Sequence, residues 1–590
     1  MDSQKLENLL NVALQTEKNE RNISNDIDVG FNSKENTWEL IVKYNGDLTF
    51  VRELGGNVEE LILGYAIVVI EEDKIPQLIR RPEIEYVEKP KRLFYSLLNS
   101  RRASCIFQVE REPFELSGKG ILIGILDSGL DLWDKDFRKA DGTTRVRYFF
   151  DQVTQKEWSE EEINASLLNE ERNTLPIDVS GHGTKVAKIA AGNGNGSGAA
   201  FQGVAPDGEL IIVKLGNSVN DSFPRTTQLM RGLTYVVKKA VSMNKPIAIN
   251  LSFGNTYGSH DGTSILERFM DNVSEIGRSV VCVGSGNEGT TAGHAGGFLL
   301  QTQSESQELT IGEYERGVSI QLWKNYIDNY RIFFVAPDGQ QLEIDTLKMG
   351  KSVNLLYDTE ILVYVGEPSP YSINQEIYFE LLPKNDGNNN DDYLKQGVWR
   401  IILVGEKIVD GRYDLYLPSG VVRSADTKFV TPSPEATFTI PSTAGKVITV
   451  GAYNPNTDSY ASFSGRGFDL GEGKESQKVT MQVKPDIVAP GEKLVISKRI
   501  ENVLDFAFSN RSDEYTIEMV SGTSFATPIV TGSAALLMEW GIVNGNDEYL
   551  YGEKVKAYLI KGARQISGIS DYPNSQVGWG ALCVRESLPV

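Results

Sequence analysis

A serine transfers an acyl group only when a base takes its proton and a carboxylate holds that base in orientation. The chain has three histidines, His182, His260 and His294, so the base has three candidates. His182 stands in Gly181-His-Gly-Thr184, at the start of an apolar stretch over 186–191 that reads as a helix. A helix start fixes the ring, and flanking glycines let a substrate backbone approach it. His260 and His294 fall in Gly-, Ser- and Thr-rich stretches, where exposed or loop-structural histidines are commoner. Asp127 ends an apolar run within Asp127-Ser-Gly129. That is the C-terminal edge of a buried strand, where open α/β sheets carry functional groups. Ser524, in Gly522-Thr-Ser-Phe-Ala-Thr-Pro528, opens a second apolar helix and gains from its free N–H groups. Taken singly, Asp127 is a turn aspartate and Ser524 an N-cap serine.

Four stretches of different texture must position these residues. In 1–96, strands are expected at 38–44, 65–70 and 84–87 and a short helix at 73–81, a small α+β module. Leu6, Leu9, Leu10, Ala13 and Leu14 add one apolar helical stripe ahead of it. In 97–297, continuous apolar strands at 120–126, 210–215, 246–251 and 279–284 alternate with helices at 183–191 and 227–243. This is the pattern of a parallel sheet covered on both faces. In 298–434 come short strands at 318–323, 331–335, 361–365, 377–381, 399–404 and 413–417, with turn signals such as Pro337-Asp-Gly339 and Asp386-Gly-Asn388. They predict an inserted all-β sandwich. In 435–590 the parallel texture resumes at 446–451 and ends in a helix from Ser524 to about Trp540.

Composition excludes several function classes. A formal charge of −21 over 590 residues is wrong for nucleic acid, which needs clustered Lys and Arg. The longest apolar run, 61–70, is too short to span a bilayer. The first residues lack a basic and apolar leader, so synthesis in the cytoplasm without a secretory signal is expected. Cys105, Cys282 and Cys583 are odd in number and far apart, suggesting neither a disulfide framework nor a zinc site. The acidic cluster 386–392 reads as a solvated loop rather than a calcium site. No metal or cofactor is called for.

Asp-Ser-Gly, Gly-His-Gly-Thr and Gly-Thr-Ser-x-Ala-x-Pro, in this order on a parallel α/β pattern, resemble the subtilisin family of serine proteases. The resemblance implies a catalytic triad of Asp127, His182 and Ser524. Gly284-Ser-Gly-Asn-Glu-Gly289 resembles the family's oxyanion motif, which makes the Asn287 amide and the Ser524 N–H the donors to a developing oxyanion. Leu251-Ser-Phe-Gly254 resembles the strand that pairs with extended substrate. By the same resemblance Leu251, Ser252, Phe253, Gly254, Gly284, Ser285, Gly286 and Glu288 bind substrate, with Glu288 near the primary specificity pocket. The interval from His182 to Ser524 is about twice that of a compact subtilisin, and the β-rich insertion accounts for most of the excess.

A narrower resemblance covers nearly the whole chain. The N-terminal module, the insertion between Asn287 and Ser524, and the phrases Tyr86-Val-Glu-Lys-Pro-Lys-Arg-Leu93 and Gly258-Ser-His-Asp-Gly-Thr263 are similar to the Csp proteases of clostridial spores. That family implies a jelly-roll-like insertion and a prodomain that is clipped off yet stays bound. Lys89-Pro-Lys-Arg-Leu-Phe-Tyr-Ser96 reads as an extended tail able to lie in the cleft, and resemblance to subtilisin prodomains places the cut between Ser96 and Leu97. It implies a protein substrate, the zymogen of a spore-cortex hydrolase cleaved in germination. It further implies incorporation into the spore and contact with other Csp-family proteins. Some Csp members have lost triad residues and act as pseudoproteases, whereas all three positions are filled here. Two other readings stay open: a silent germinant-signalling scaffold, and a cytosolic subtilisin unrelated to spores.

Overall fold

The computed structural model describes residues 5–16, 29–90, 96–171, 174–216, 224–384, 393–468, 482–500 and 515–589. The chain divides into two units, Met1–Phe94 and Tyr95–Val590. In the first, strands Thr37–Tyr44, Tyr65–Glu71, Asn57–Glu60 and Ile84–Glu88 form an antiparallel sheet with the short strand Phe31–Asn32. Trp38, Leu40 and Val42 alternate inward and meet Leu6, Leu10 and Ala13 of the N-terminal segment in one core. Helix Asn8–Gln15 therefore docks through Leu10 and Ala13, with Leu14 packed against the same core.

The second unit is built on a nine-stranded sheet. Its centre runs in the order Ile448–Asn454, Ser279–Gly284, Ile247–Leu251, Leu122–Asp127, Glu209–Lys214 and Val146–Asp151, all parallel. Every residue of Leu122–Asp127, Ile247–Leu251 and Ser279–Gly284 is buried, because helices cover both faces. The register pairs Leu126 with Leu251 and Leu251 with Val283, so the three strands end at one edge. Helix Thr523–Met538 crosses beneath them. The span Thr523–Val543 is the one helix among the described residues long and apolar enough for a membrane, but 83% of that window is buried inside the fold. Its apolar character belongs to the core.

Residues 294–429 form two packed antiparallel sheets, of six and five strands. Ile320, Leu322, Ile361 and Phe379 of one face Ile332, Phe334, Trp399 and Leu403 of the other within a single core. Strand His294–Phe298, placed by sequence in the preceding part, pairs with Arg412–Tyr416 and belongs to the first of these sheets. The sheets are tied to the segment after Leu251. Gly258 N–H donates to Gln321 Oε1 at 3.0 Å, Thr256 Oγ1 to the Leu417 carbonyl at 2.9 Å, and Ser372 Oγ to Asp261 Oδ2 at 2.7 Å. His260 and His294 are buried rather than exposed. They stack against Tyr416, with ring centroids 4.0 and 4.7 Å away, and His294 Nε2 lies 3.0 Å from Asp414 Oδ1.

Two expectations are corrected. Cys105 and Cys583 form a disulfide, with Cα atoms 4.9 Å apart at a sequence separation of 478. The ends of the second unit meet there: Val584 N–H donates to the Ser104 carbonyl at 3.0 Å and Arg564 Nε to the Ala103 carbonyl at 3.3 Å. Only Cys282 is free, and it is buried. Ser96 and Leu97 lie in the first turn of helix Ser96–Ala103, not in an extended tail. Residues 91–95 of that tail, and the acidic cluster 386–392, lie outside the described residues.

Candidate active site

Asp127 is the last residue of its strand and fully buried. One carboxylate oxygen accepts the Ser128 N–H at 2.7 Å and faces His182 Nδ1 at 2.8 Å. His182 is the first residue of helix His182–Ala191, whose start presses against the Asp127-Ser-Gly129 turn. A Cβ at Gly183 would sit 2.3 Å from the Gly129 carbonyl oxygen, so the residue after this histidine has to be glycine. The loop before the helix is held by Asp178, which accepts from Ser128 Oγ (2.8 Å), Gly181 N–H (3.0 Å), Thr184 N–H (2.9 Å) and Thr184 Oγ1 (2.7 Å). Burial pulls the His182 pKa down, but the hydrogen bond to Asp127 and the charges of Asp127 and Asp178 outweigh it, so the ring holds its proton above the ordinary imidazole value.

Ser524 is the second residue of helix Thr523–Met538, so its N–H has no acceptor within the helix. Pro528, four residues on, has no N–H and leaves the Ser524 carbonyl without its helical donor. Ser252 Oγ fills the vacancy, donating to that carbonyl at 3.2 Å. Ser252 Oγ in turn accepts from Asn250 Nδ2 at 3.0 Å, and Asn250 Oδ1 accepts from Thr531 Oγ1 at 3.1 Å. This relay fixes the serine's backbone against the strand Ile247–Leu251. The Ser524 hydroxyl makes one hydrogen bond among the described residues, to the Ser252 carbonyl at 3.5 Å. It is thus available to swing toward His182, whose ring packs between Phe253 and Phe525. Catalytic hydrogen bonds often close only around substrate.

Asn287 is exposed at the mouth of the cleft. Its Oδ1 accepts from Thr523 N–H at 3.0 Å and Thr523 Oγ1 at 3.1 Å. With the carbonyl side of the amide committed to the neighbouring helix, Nδ2 is left to donate beside Ser524. An attacked carbonyl oxygen would find two donors there, Asn287 Nδ2 and the Ser524 N–H. A nucleophile, a base with its carboxylate and a two-donor anion site therefore converge from three strand ends and two helix starts. This arrangement can break an acyl bond.

A profile described as the subtilase family matches residues 118–364 and 421–580. The chain belongs to that family. The interval left out of the match, 365–420, falls inside the two inserted sheets. A second profile, described as the Csp protease B prodomain, matches residues 4–91. Among solved structures, the Clostridium perfringens CspB protease superposes on this subtilase with a TM-score of 0.73 at 34% identity, covering 83% of this chain and 96% of that one. The serine protease AprX of Bacillus subtilis is 28% identical over 191 residues, covering 32% of this chain and 37% of its own length. The major intracellular serine protease of the same organism is 30% identical over 174 residues, 30% of this chain and 45% of its own. The chain thus spans less than half the length of these two relatives. Its α/β fold is subtilisin-like, with added all-β sheets.

Three of the residues assigned to substrate binding in this subtilase have side chains that are buried or engaged within the fold. The Leu251 side chain lies in the core. Ser285 is fully buried, its hydroxyl 3.2 Å from that of Ser464, its N–H and carbonyl bonded to Val450 and Thr439. Glu288 is 9% exposed and turned to the inserted sheets: its carboxylate accepts from Thr291 Oγ1 at 2.6 Å, Ser419 Oγ at 2.5 Å and Gly420 N–H at 3.3 Å. Ser252 bonds Ser524 and Phe253 lies against His182, while Gly254 and Gly286 follow the strand ends on either side. Sequence reasoning missed Asp178, Asn250 and Thr439. Asn250 carried a signal, a lone amide in an otherwise apolar strand; the other two carried none.

Proposed function

We propose that the chain is an active serine endopeptidase of the spore, which cuts its own prodomain and then activates the zymogen of a spore-cortex hydrolase during germination. The observation that carries the reading is the complete set at one strand edge: His182 Nδ1 at 2.8 Å from Asp127, Ser524 at a helix start, and the Asn287 amide anchored with its donor free. The match to the Csp protease B prodomain profile and the likeness to the C. perfringens CspB protease support a protease that carries a prodomain and acts on protein. Other Csp-family proteins are the natural partners on the same grounds. Incubating the purified protein with candidate zymogens and sequencing the new N-termini tests the reading. A fluorophosphonate probe should label wild-type Ser524, and failure to label it would favour a silent scaffold.

A further inference from the structure

Two glycines beside Ser524 press on one threonine, and Gly286 also has a positive φ of 91°. A Cβ at Gly254 would lie 2.3 Å from Thr439 Oγ1, and one at Gly286 would lie 2.5 Å from Thr439 Cγ2. Both distances are far inside contact, so the Thr439 side chain already touches both backbones. The chain around it joins the two segments like a rung. Thr439 N–H donates to the Ser285 carbonyl at 3.0 Å, Ile440 N–H to the Asn255 carbonyl at 2.7 Å, and Asn255 N–H to the Ile440 carbonyl at 3.0 Å. Thr439 itself is 7% exposed.

These segments flank the reaction centre. The Ser252 carbonyl is 3.5 Å from Ser524 Oγ, and a Cβ at Gly284 would press on the hydroxyls of Thr523 and Thr527. A peptide whose carbonyl sits between Ser524 Oγ and Asn287 Nδ2 must run alongside Ser252–Gly254. The side chain preceding the scissile bond then projects between that segment and Gly284–Gly286, onto Thr439. A ring or a long chain has no depth there. Nor is a counter-charge offered to a basic side chain, since the Glu288 carboxylate is turned to Thr291, Ser419 and Gly420 and its charge interacts with Arg423.

We propose that Thr439 is the specificity-determining residue of this protease, and that the side chain before the scissile bond is small and uncharged: glycine, alanine or serine. The proposal rests on the endopeptidase reading above and deepens it. One methylene too many in a pocket of fixed depth is worth about tenfold or more in rate.

The test compares peptidyl phosphonates that differ only in the side chain next to phosphorus, alanine-like, phenylalanine-like or lysine-like, with an alkyl fluorophosphonate that lacks one. Targets are the wild type, Thr439→Gly and Thr439→Val. The wild type and Thr439→Val should react with the alanine-like probe about tenfold or more faster than with the other two. Thr439→Gly should narrow the gap to the phenylalanine-like probe by about tenfold and leave the lysine-like probe slow. Equal or faster labelling of the wild type by either large probe overturns the assignment, as does an unchanged ratio in Thr439→Gly. If that variant does not fold, the wild-type ratios decide. Wild type that no probe labels, the alkyl one included, overturns the endopeptidase reading itself.

Discussion

The Asn287 side chain does two things with its two ends, and the ends are separable. Oδ1 holds the Thr523 N–H and hydroxyl, while Nδ2 faces the place where charge would develop. Asn287→Ala should therefore slow acylation by roughly 10²–10³. Its stability cost should be only the two lost hydrogen bonds, about 1 kcal/mol each. Acylation rate and melting temperature measured on the same variant check this; a stable variant with an unchanged rate removes Asn287 from the mechanism. His182 gives a pH prediction. Burial lowers its pKa, but the bond to Asp127 and the charges of Asp127 and Asp178 win over it and over Lys185, which acts with burial. Because only the neutral ring accepts the serine proton, kcat/KM should fall on acidification with a midpoint above the ordinary imidazole value. A midpoint below that value would mean the two carboxylates do not control the ring. The triad was legible because three histidines left few choices and each partner sat in a motif with a mechanical reason. Thr439 was not. It acts through contact with two glycines far from it in sequence, and nothing in Phe-Thr-Ile-Pro announces that neighbourhood.

Among the elements, those with a one-sided or wholly apolar pattern could be read and those without one could not. The strands ending at Asp127, Leu251 and Gly284 are buried on both faces and read as unbroken apolar runs. In the inserted sheets, Val318–Asn325 and Asn374–Pro383 were visible for their large inward residues. Ser304–Ile311 and Gly350–Leu356 were not, since most of their residues are exposed or half-exposed and the latter is an edge strand. The Cys105–Cys583 bridge was invisible for another reason: what joins its ends is tertiary, the chain returning beside Ala103 and Ser104 after 478 residues. It yields a clean measurement. Unfolded without reductant, the protein should show one titratable thiol, Cys282, and three after reduction. Cys105→Ser should cost about 2–4 kcal/mol, seen as a lower denaturation midpoint, because the unfolded chain loses a very long closed loop. Three thiols before reduction would contradict the bridge.

At the scale of the whole molecule, the junction between the two units falls at Phe94–Tyr95 and the expected cut, Ser96–Leu97, is the first bond of the helix that follows. A protease of this kind reads its substrate as an extended strand, so the bond cannot be cut while Ser96–Ala103 is helical. Eight residues make a marginal helix on their own, and opening its first turn costs little. Arg101 bonds Glu110 and Gln202, while Ser104 and Cys105 are held by Val584 and Cys583, so the far end of the helix stays in place when the near end unwinds. Ser96 is also of the small, uncharged class that the pocket over Thr439 admits. Wild type should therefore begin within a few residues of Leu97 after maturation, and Ser524→Ala should remain full length. Asn99→Ala, which raises helix propensity by about 0.5 kcal/mol, should slow the cut roughly two- to threefold without moving it. N-terminal sequencing over a time course reads all three. Pure Ser524→Ala cut at the same bond would show that another protease does the processing; an unchanged rate in Asn99→Ala would show that helix opening does not gate it.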